Sequence, residues 1–310
     1  MQIAAVIVTY FPDIERLRSL VVRLRIEGAR VIVVDNGSHL QEHLDLPGES
    51  LRQVDVQWIF NAENRGIGAA QNQGIQLALV GNAEFITVFD QDSSPAARML
   101  ATLAATCQHL RSQGCAVAAV GPQLIDEASG KRIPFITYRN GSKYRIIAGD
   151  NDGPVECFSL LASGTLFCAD VFQTVGLMEE GLFIEYVDIE WGARATSKGY
   201  KLYGVPTAHL QHNLGEHRIP LWAGLSVPLH SPVRHYYTFR NAVALQHRRY
   251  IPSYWKRADL IRCLVLFFLF TILNKPRFEQ VRMMLKGVHH GFLGIEGPYR
   301  ATPTQDLKTS

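Results

Sequence analysis

Two carboxylates one residue apart close a strand-forming run: FITVFDQDS, Phe85 to Ser93, leads through Asp90 and Asp92 into a Ser-Ser-Pro turn. An apolar run of this kind is buried, and the C-terminal edge of a buried strand is where open α/β sheets bind their ligands. Two acids held there suit a hard divalent cation that is also ligated by phosphate oxygens. The alternative is a polar strand-to-helix turn, with Ser93 or Ser94 capping a helix and both aspartates solvated. D-x-D alone does not decide between them.

Three other stretches carry groups that can do chemistry. Asp35 ends the apolar run Val31 to Val34 and is followed by Asn36-Gly37-Ser38. It can accept a hydrogen bond from a nucleobase ring N–H or a ribose hydroxyl, or serve as a turn aspartate; parallel neighbouring strands would set it beside Thr9 and Asp90. Glu185, Asp188 and Glu190 precede or open a helix running to about Lys198. Asp188 is then either its N-cap or a carboxylate placed to take a proton. His209 and His212 follow a strand at Leu202 to Val205, and an imidazole returning to the aspartate pair would complete a mixed N/O metal site.

The elements needed to position these groups are legible as an α/β pattern. Ile3 to Thr9 is a continuous apolar strand, and Pro12-Asp13 opens a helix with apolar Leu17, Leu20, Val21 and Leu24 that Gly28 closes, giving a βαβ unit. Val54 to Phe60 is a further strand, followed by NAENRGIGAAQNQG. Gly66 and Gly68 lack the third glycine of a dinucleotide fingerprint, so the loop is read as Asn64, Arg65 and Gly66 approaching a nucleotide before a helix that packs on the sheet through Ala69, Ala70, Asn72 and Gly74. A helix is expected over roughly Ala96 to Gln113 and strands at Ala116 to Val120 and Cys157 to Leu161, with a tight turn at Ser163-Gly164 and a short helix over Ala169 to Val175. Arg132 to Ile147 reads as hairpin or loop with an Asn140-Gly141 turn; Tyr138, Tyr144 and Arg145 are candidates there for an acceptor-specific surface.

Length, at 310 residues, allows one large domain or two modest ones. The five cysteines form no C-x-x-C pair and are odd in number, which argues against a zinc cluster or a disulfide framework and for buried thiols in a reducing compartment. MQIAAVIVTYF has no basic n-region or cleavage site, so no signal peptide is read and a cytoplasmic location is expected.

Charge is unevenly spread. Ser231 to His290 holds eleven Lys or Arg against two acids, +9, so the remainder of a chain of net +3 carries −6. Within it, Cys263 to Leu273 is too short to span a bilayer and is flanked by Arg248, Arg249, Lys256, Arg257, Arg262, Lys275 and Arg277. An interfacial helix on an anionic leaflet fits both facts; a core helix or a homo-oligomer contact is the competing reading. The charges flank an apolar helix without a stripe of stacking aromatics, which argues against nucleic acid.

In order along the chain, VTY, VVDNGS, NRGIGAAQNQG, FDQDS, FIEYVDIEWGARA and QHNLG together resemble the inverting family 2 glycosyltransferases of GT-A fold. HYYTFRN, His235 to Asn241, resembles the bacterial rhamnosyltransferase branch. The resemblance covers about residues 3 to 245. It implies a GT-A catalytic domain over 1–230, with a Rossmann-like nucleotide-binding half to about 122 and an acceptor-binding half beyond it, then a helical membrane-associating extension over 231–310. It implies a nucleotide-sugar site of Thr9, Asp35, Asn64, Arg65, Gly66, Asp90 and Gln91, a divalent metal (Mg2+ or Mn2+) on Asp92 and His212, and Asp188 as general base. Gly164, Glu190, Tyr237 and Arg240 fall in the acceptor or diphosphate neighbourhood. The glutamate that usually precedes the base is absent, Val187 standing there, so Asp188 is chosen over Glu185 by spacing to Glu190 and Arg194. The implied donor is dTDP-L-rhamnose and the implied acceptor a lipid-linked or amphiphilic glycan at the cytoplasmic face of the inner membrane. A UDP-sugar donor, or a non-catalytic nucleotide-sugar-binding role in glycan assembly, are the rivals.

Overall fold

The structure, a computed structural model, describes residues 1–40, 55–212, 218–220, 226–228, 231–273 and 275–300; at 212, 218–220 and 226–228 it describes the backbone alone. In chain order the first half holds β1 (Ile3–Thr9), α1 (Ile14–Ile26), β2 (Arg30–Asp35), β3 (Val56–Phe60), α2 (Ile67–Val80), β4 (Phe85–Asp90), β5 (Ser94–Pro95), α3 (Met99–Ser112) and β6 (Val117–Asp126). There follow the hairpin β7 (Phe135–Arg139) and β8 (Ser142–Ile146), then β9 (Val155–Cys157), β10 (Leu166–Cys168), α4 (Val171–Val175), α5 (Val187–Ser197) and β11 (Lys201–His212). Short strands β12 (Arg218–Pro220) and β13 (Ser226–Pro228) precede three helices, α6 (Pro232–Gln246), α7 (Ser253–Leu273) and α8 (Arg277–Phe292).

The main sheet runs β3-β2-β1-β4-β10-β6-β11-β5. β1 pairs in parallel with β2 and β4, so Thr9 lies opposite Asp35 and Val8 opposite Asp90. The strand ends named above therefore share one edge of the sheet. β1 is buried along its whole length, as its unbroken apolar run requires; α1 packs on neighbouring β2 and buries Leu17, Leu20, Val21 and Leu24, and α2 packs on β1. Gly74 of α2 sits over Val6: a Cβ there would stand 2.2 Å from Val6 Cγ1, so only glycine lets the helix approach this closely.

Two expectations are corrected. Ser93 and Ser94 do not cap the next helix: Ser94 and Pro95 pair with Gln211 and Leu210 as an antiparallel strand, and α3 begins only at Met99, after Arg98 in left-handed conformation. Ser93 turns inward instead, its Oγ 2.6 Å from Ser163 Oγ. The strand expected over Cys157 to Leu161 is β9, three residues ending at Cys157.

The C-terminal helices pack on the sheet layer without a break. Phe239, Leu245, Trp255, Phe270 and Met284 belong to the same buried core as β1 and β4, so the core is continuous across residue 230. α7 buries Trp255, Asp259, Cys263 and Phe270, one stripe at helical spacing, while Leu260, Ile261, Leu264, Val265, Phe268 and Ile272 are all more than half exposed. No helix among the described residues is long and apolar enough to cross a membrane.

Candidate active site

A cavity of about 550 Å³ opens between the C-terminal edge of the sheet and the C-terminal helices, and Asp90 and Asp188 both line it. Gln71 and Ser163 stand on its sheet side, with Glu185 and Tyr186 beside Asp188; Tyr138, Lys143, Trp255, Asp259 and Arg262 form the wall beyond. Ser163 holds the aspartate turn in place. It pairs with Val88 across the strands, and its Oγ accepts from the Asp90 N–H at 3.3 Å and meets Ser93 Oγ.

Asp188 is the second residue of α5 and not its N-cap. The cap position is Tyr186, and Asp188 Oδ1 accepts from the Ile189 N–H at 2.8 Å. The approach to this helix is strained: Phe183, Glu185 and Tyr186 have φ of 64°, 66° and 67°. Such residues cost of order 1–3 kcal/mol each and persist only where their surroundings over-determine them. Here the surroundings are α6. Asn241 donates to the carbonyls of Leu182, Ile184 and Glu185 at 3.0, 2.7 and 3.0 Å, and Arg240 donates to Gly181, Leu182 and Gly297 at 3.0, 2.7 and 2.6 Å. Arg234 adds an ion pair to Glu185. A second anchor lies one turn into α5, where buried Glu190 takes Arg194 at 2.8 Å and the Tyr250 hydroxyl while Arg194 ties back to the carbonyls of Val175 and Leu177.

Burial pushes the Asp188 carboxyl up to about 6; its own and Ile189's N–H pull it down, and the charges of Glu185 and Asp90 push it up again. A carboxylate with that value accepts a proton more readily than a solvated aspartate and is still ionised at neutral pH. Tyr186 behind it is raised by burial; its hydroxyl donates to Asp259 at 3.0 Å and is met by Arg262.

The remaining expected site residues divide sharply. Thr9 and Asp35 adjoin, with Thr9 Oγ1 donating to Asp35 Oδ1 at 3.3 Å, but both are buried and Asp35 is engaged by its own loop, by Ser38 and by the Leu40 N–H at 2.9 Å. Gln91 links β4 to β1 through both main-chain groups of Tyr10. Asn64 shapes its own loop, accepting from the Gly66 N–H at 2.9 Å and from Asn36 Nδ2 at 3.0 Å, and the Arg65 N–H donates to Asn36 Oδ1 at 3.0 Å. Gly66 has φ 89°, and a Cβ on it would meet the Phe183 carbonyl oxygen at 2.7 Å, so this loop abuts the segment leading to Asp188. Gly164, at φ 77°, turns the chain against Pro122 and Leu210.

Glu190, Tyr237 and Arg240 do not line the cavity; they are buried scaffold, Glu190 and Arg240 holding α5 and its entry by hydrogen bonds while the Tyr237 ring stacks on Phe183 and its hydroxyl accepts from the Tyr299 N–H. Asp92 faces a separate groove of about 260 Å³ with Glu15 and Glu127. His209 pairs with Asp150 at 2.9 Å, and His212 ends β11 with its side chain outside the described residues.

Sequence reasoning missed Tyr186, Asp259, Arg262 and Trp255 as cavity wall and Asn241 as a clamp. Only the density of polar residues in HYYTFRN, a run that turns out to be wholly buried, signalled the clamp.

Among the described residues no three acidic, cysteine or histidine side chains gather as a metal cage. Asp90 still offers a hard oxygen ligand at the cavity, and Mg2+ or Mn2+ arriving with substrate phosphates needs only one or two protein carboxylates, with water completing its shell. The residues fit a cation of that kind.

The sequence profile described as Glycosyl transferase family 2 matches residues 5–164. The chain is 31% identical over 297 residues to the dTDP-rhamnosyl transferase RfbF of Shigella flexneri, covering 95% of this chain and 97% of that protein. It is 24% identical over 241 residues to the galactofuranosyltransferase GlfT1 of Mycolicibacterium smegmatis, covering 73% and 78%. Among solved structures, S. aureus TarS 1–349 in complex with UDP-GlcNAc superposes with a TM-score of 0.54 at 14% identity, over 95% of this chain and 82% of that one. GalNAc-T7 with UDP, GalNAc and Mn2+ superposes with a TM-score of 0.55 at 19% identity, over 89% and 58%. These two structures establish a shared GT-A fold.

Proposed function

Because the chain belongs to glycosyl transferase family 2, we propose that it moves L-rhamnose from dTDP-L-rhamnose to a hydroxyl of a lipid-linked or amphiphilic glycan with inversion at the anomeric carbon. The observation that carries this is the meeting of Asp90 and Asp188 on one cavity, with Asp188 held on a strained, clamped turn and tuned toward neutral pH. Asp188 takes the proton of the acceptor hydroxyl as its oxygen bonds to the anomeric carbon. The bond from that carbon to the diphosphate oxygen breaks, and dTDP leaves with the electron pair. The likeness to RfbF over nearly the whole of both chains supports the donor. Incubation with dTDP-L-rhamnose, with UDP-sugars in parallel, tests it: release of dTDP with a product of inverted anomeric configuration is expected, and turnover of UDP-sugars alone would sink the donor assignment.

A bound divalent cation would neutralise charge on the departing diphosphate. Asp90 would hold it; the family resemblance also names Asp92 and His212, but Asp92 lines a different groove. Since Asp90 faces the cavity and Asp92 a separate groove, Asp90→Asn is expected to weaken dTDP binding about tenfold and remove its sensitivity to chelator, while Asp92→Asn keeps that sensitivity. Calorimetric titration of dTDP with and without chelator reads both, and the opposite pattern would return the metal to Asp92.

The exposed apolar stripe of α7, with Lys256, Arg257, Lys275 and Arg277 at its ends, is read as a seat on the anionic cytoplasmic face of the bacterial inner membrane. Phe268→Asp is expected to cut cosedimentation with phosphatidylglycerol vesicles at least fivefold. Undiminished binding would remove this face from the role and leave a second copy of the chain as its occupant.

A further inference from the structure

In the hairpin, Tyr138 is opposite Lys143 and Ile136 opposite Arg145, so these four residues share one face. That face turns toward the base. Tyr138 and Lys143 line the Asp188 cavity, and Arg145 lines an adjoining pocket of about 270 Å³ that also reaches Asp188. Across from them stands Arg262 of α7. We propose that Lys143 and Arg145 form an anion subsite for the acceptor, which takes a phosphate or carboxylate attached to the glycan that receives the sugar. This rests on the transferase reading and specifies its second substrate.

Charge distribution within the cavity supports the placement. Asp90, Glu185 and Asp188 gather at the base, their charges acting on one another, and repel an anionic acceptor there. On the hairpin side the acid acting on Lys143 is Asp259, whose carboxylate is already met by the Tyr186 hydroxyl and Arg262. Partial loss of solvent at the cavity mouth, with Arg145 and Arg262 close by, holds the exposed Lys143 ammonium below its ordinary range. An arriving anion would relieve that crowding of like charges. The position relative to the base also selects the acceptor over the donor, because Asp188 must touch the attacking hydroxyl and the pocket that holds Arg145 is lined by Asp188 but not by Asp90. Tyr144, on the opposite hairpin face, lines neither pocket.

Calorimetry on the full chain with saturating dTDP tests the subsite, using decyl phosphate, decyl β-glucuronide and decyl β-glucoside as probes. One anionic probe is expected to bind at least tenfold more tightly than the glucoside, and which one identifies phosphate or carboxylate as the source. Lys143→Glu, on an exposed hairpin position, should erase that preference, and Lys143→Arg should retain it. Equal binding of all three probes, or a preference that survives Lys143→Glu, overturns the subsite while dTDP binding leaves the donor reading standing. Absence of dTDP binding overturns the donor reading, and with it a subsite defined as the acceptor's.

Discussion

Asp188→Asn is expected to bind dTDP as the parent protein does and to lose about 10²–10⁴-fold in transfer rate, the range general-base catalysis contributes. The parent kcat/KM should rise tenfold per pH unit up to about pH 6 and level off above it, because the base must be ionised and its carboxyl is pushed up to about 6. The sign for stability is the opposite. A folded-state value above the ordinary 3.8 means that the stability contributed by neutral Asp188 is fully present below about pH 4 and lost as pH rises through about 6. At pH 8 the charge is therefore a burden on the fold, and Asp188→Asn should be at least as stable as the parent, by up to roughly 3 kcal/mol in denaturant unfolding. A merely structural aspartate would show the reverse, a less stable variant with little change in rate. Near-parental turnover by a folded Asp188→Asn would remove the residue from the role.

Asn241→Leu should damage both stability and rate although Asn241 does not itself line the cavity. Its amide satisfies the carbonyls of Leu182, Ile184 and Glu185, and two of these sit within the run that holds Phe183, Glu185 and Tyr186 at positive φ. Leucine is similar in size but donates nothing. Leu182 keeps Arg240 as a donor, so two carbonyls lose their clamp, at about 1–3 kcal/mol each, giving an expected loss of about 2–6 kcal/mol in denaturant unfolding. Below the unfolding transition, transfer should fall at least tenfold with dTDP affinity kept, since the segment that relaxes aims Asp188 and not the nucleotide site. Equal stability with unchanged rate would show that the strained turn holds itself.

The family motifs named Asp90 and Asp188, and the cavity brings both together; they also named Asp35, Asn64 and Gln91, which the structure shows held by their own loops and neighbouring strands. The difference is physical. A motif records which residues recur near a site but not whether a side chain faces the ligand or the loop that frames it. The same limit explains Arg240 and Glu190: both are charged residues in motif positions, and both are consumed by buried hydrogen bonds that only the packing of α5 and α6 reveals.

Local chemistry alone determined β1, α1 and β2: the unbroken apolar runs read as buried strands, and Asp13 and Gly28 bracket the helix between them. Tertiary structure decided what the C-terminal helices are for. An apolar run beside basic residues is compatible with core, membrane or partner. Only the packed molecule shows that one stripe of α7 walls the Asp188 cavity through Trp255, Asp259 and Arg262 while the other stays exposed, because burial of a helix face depends on which distant surface arrives against it.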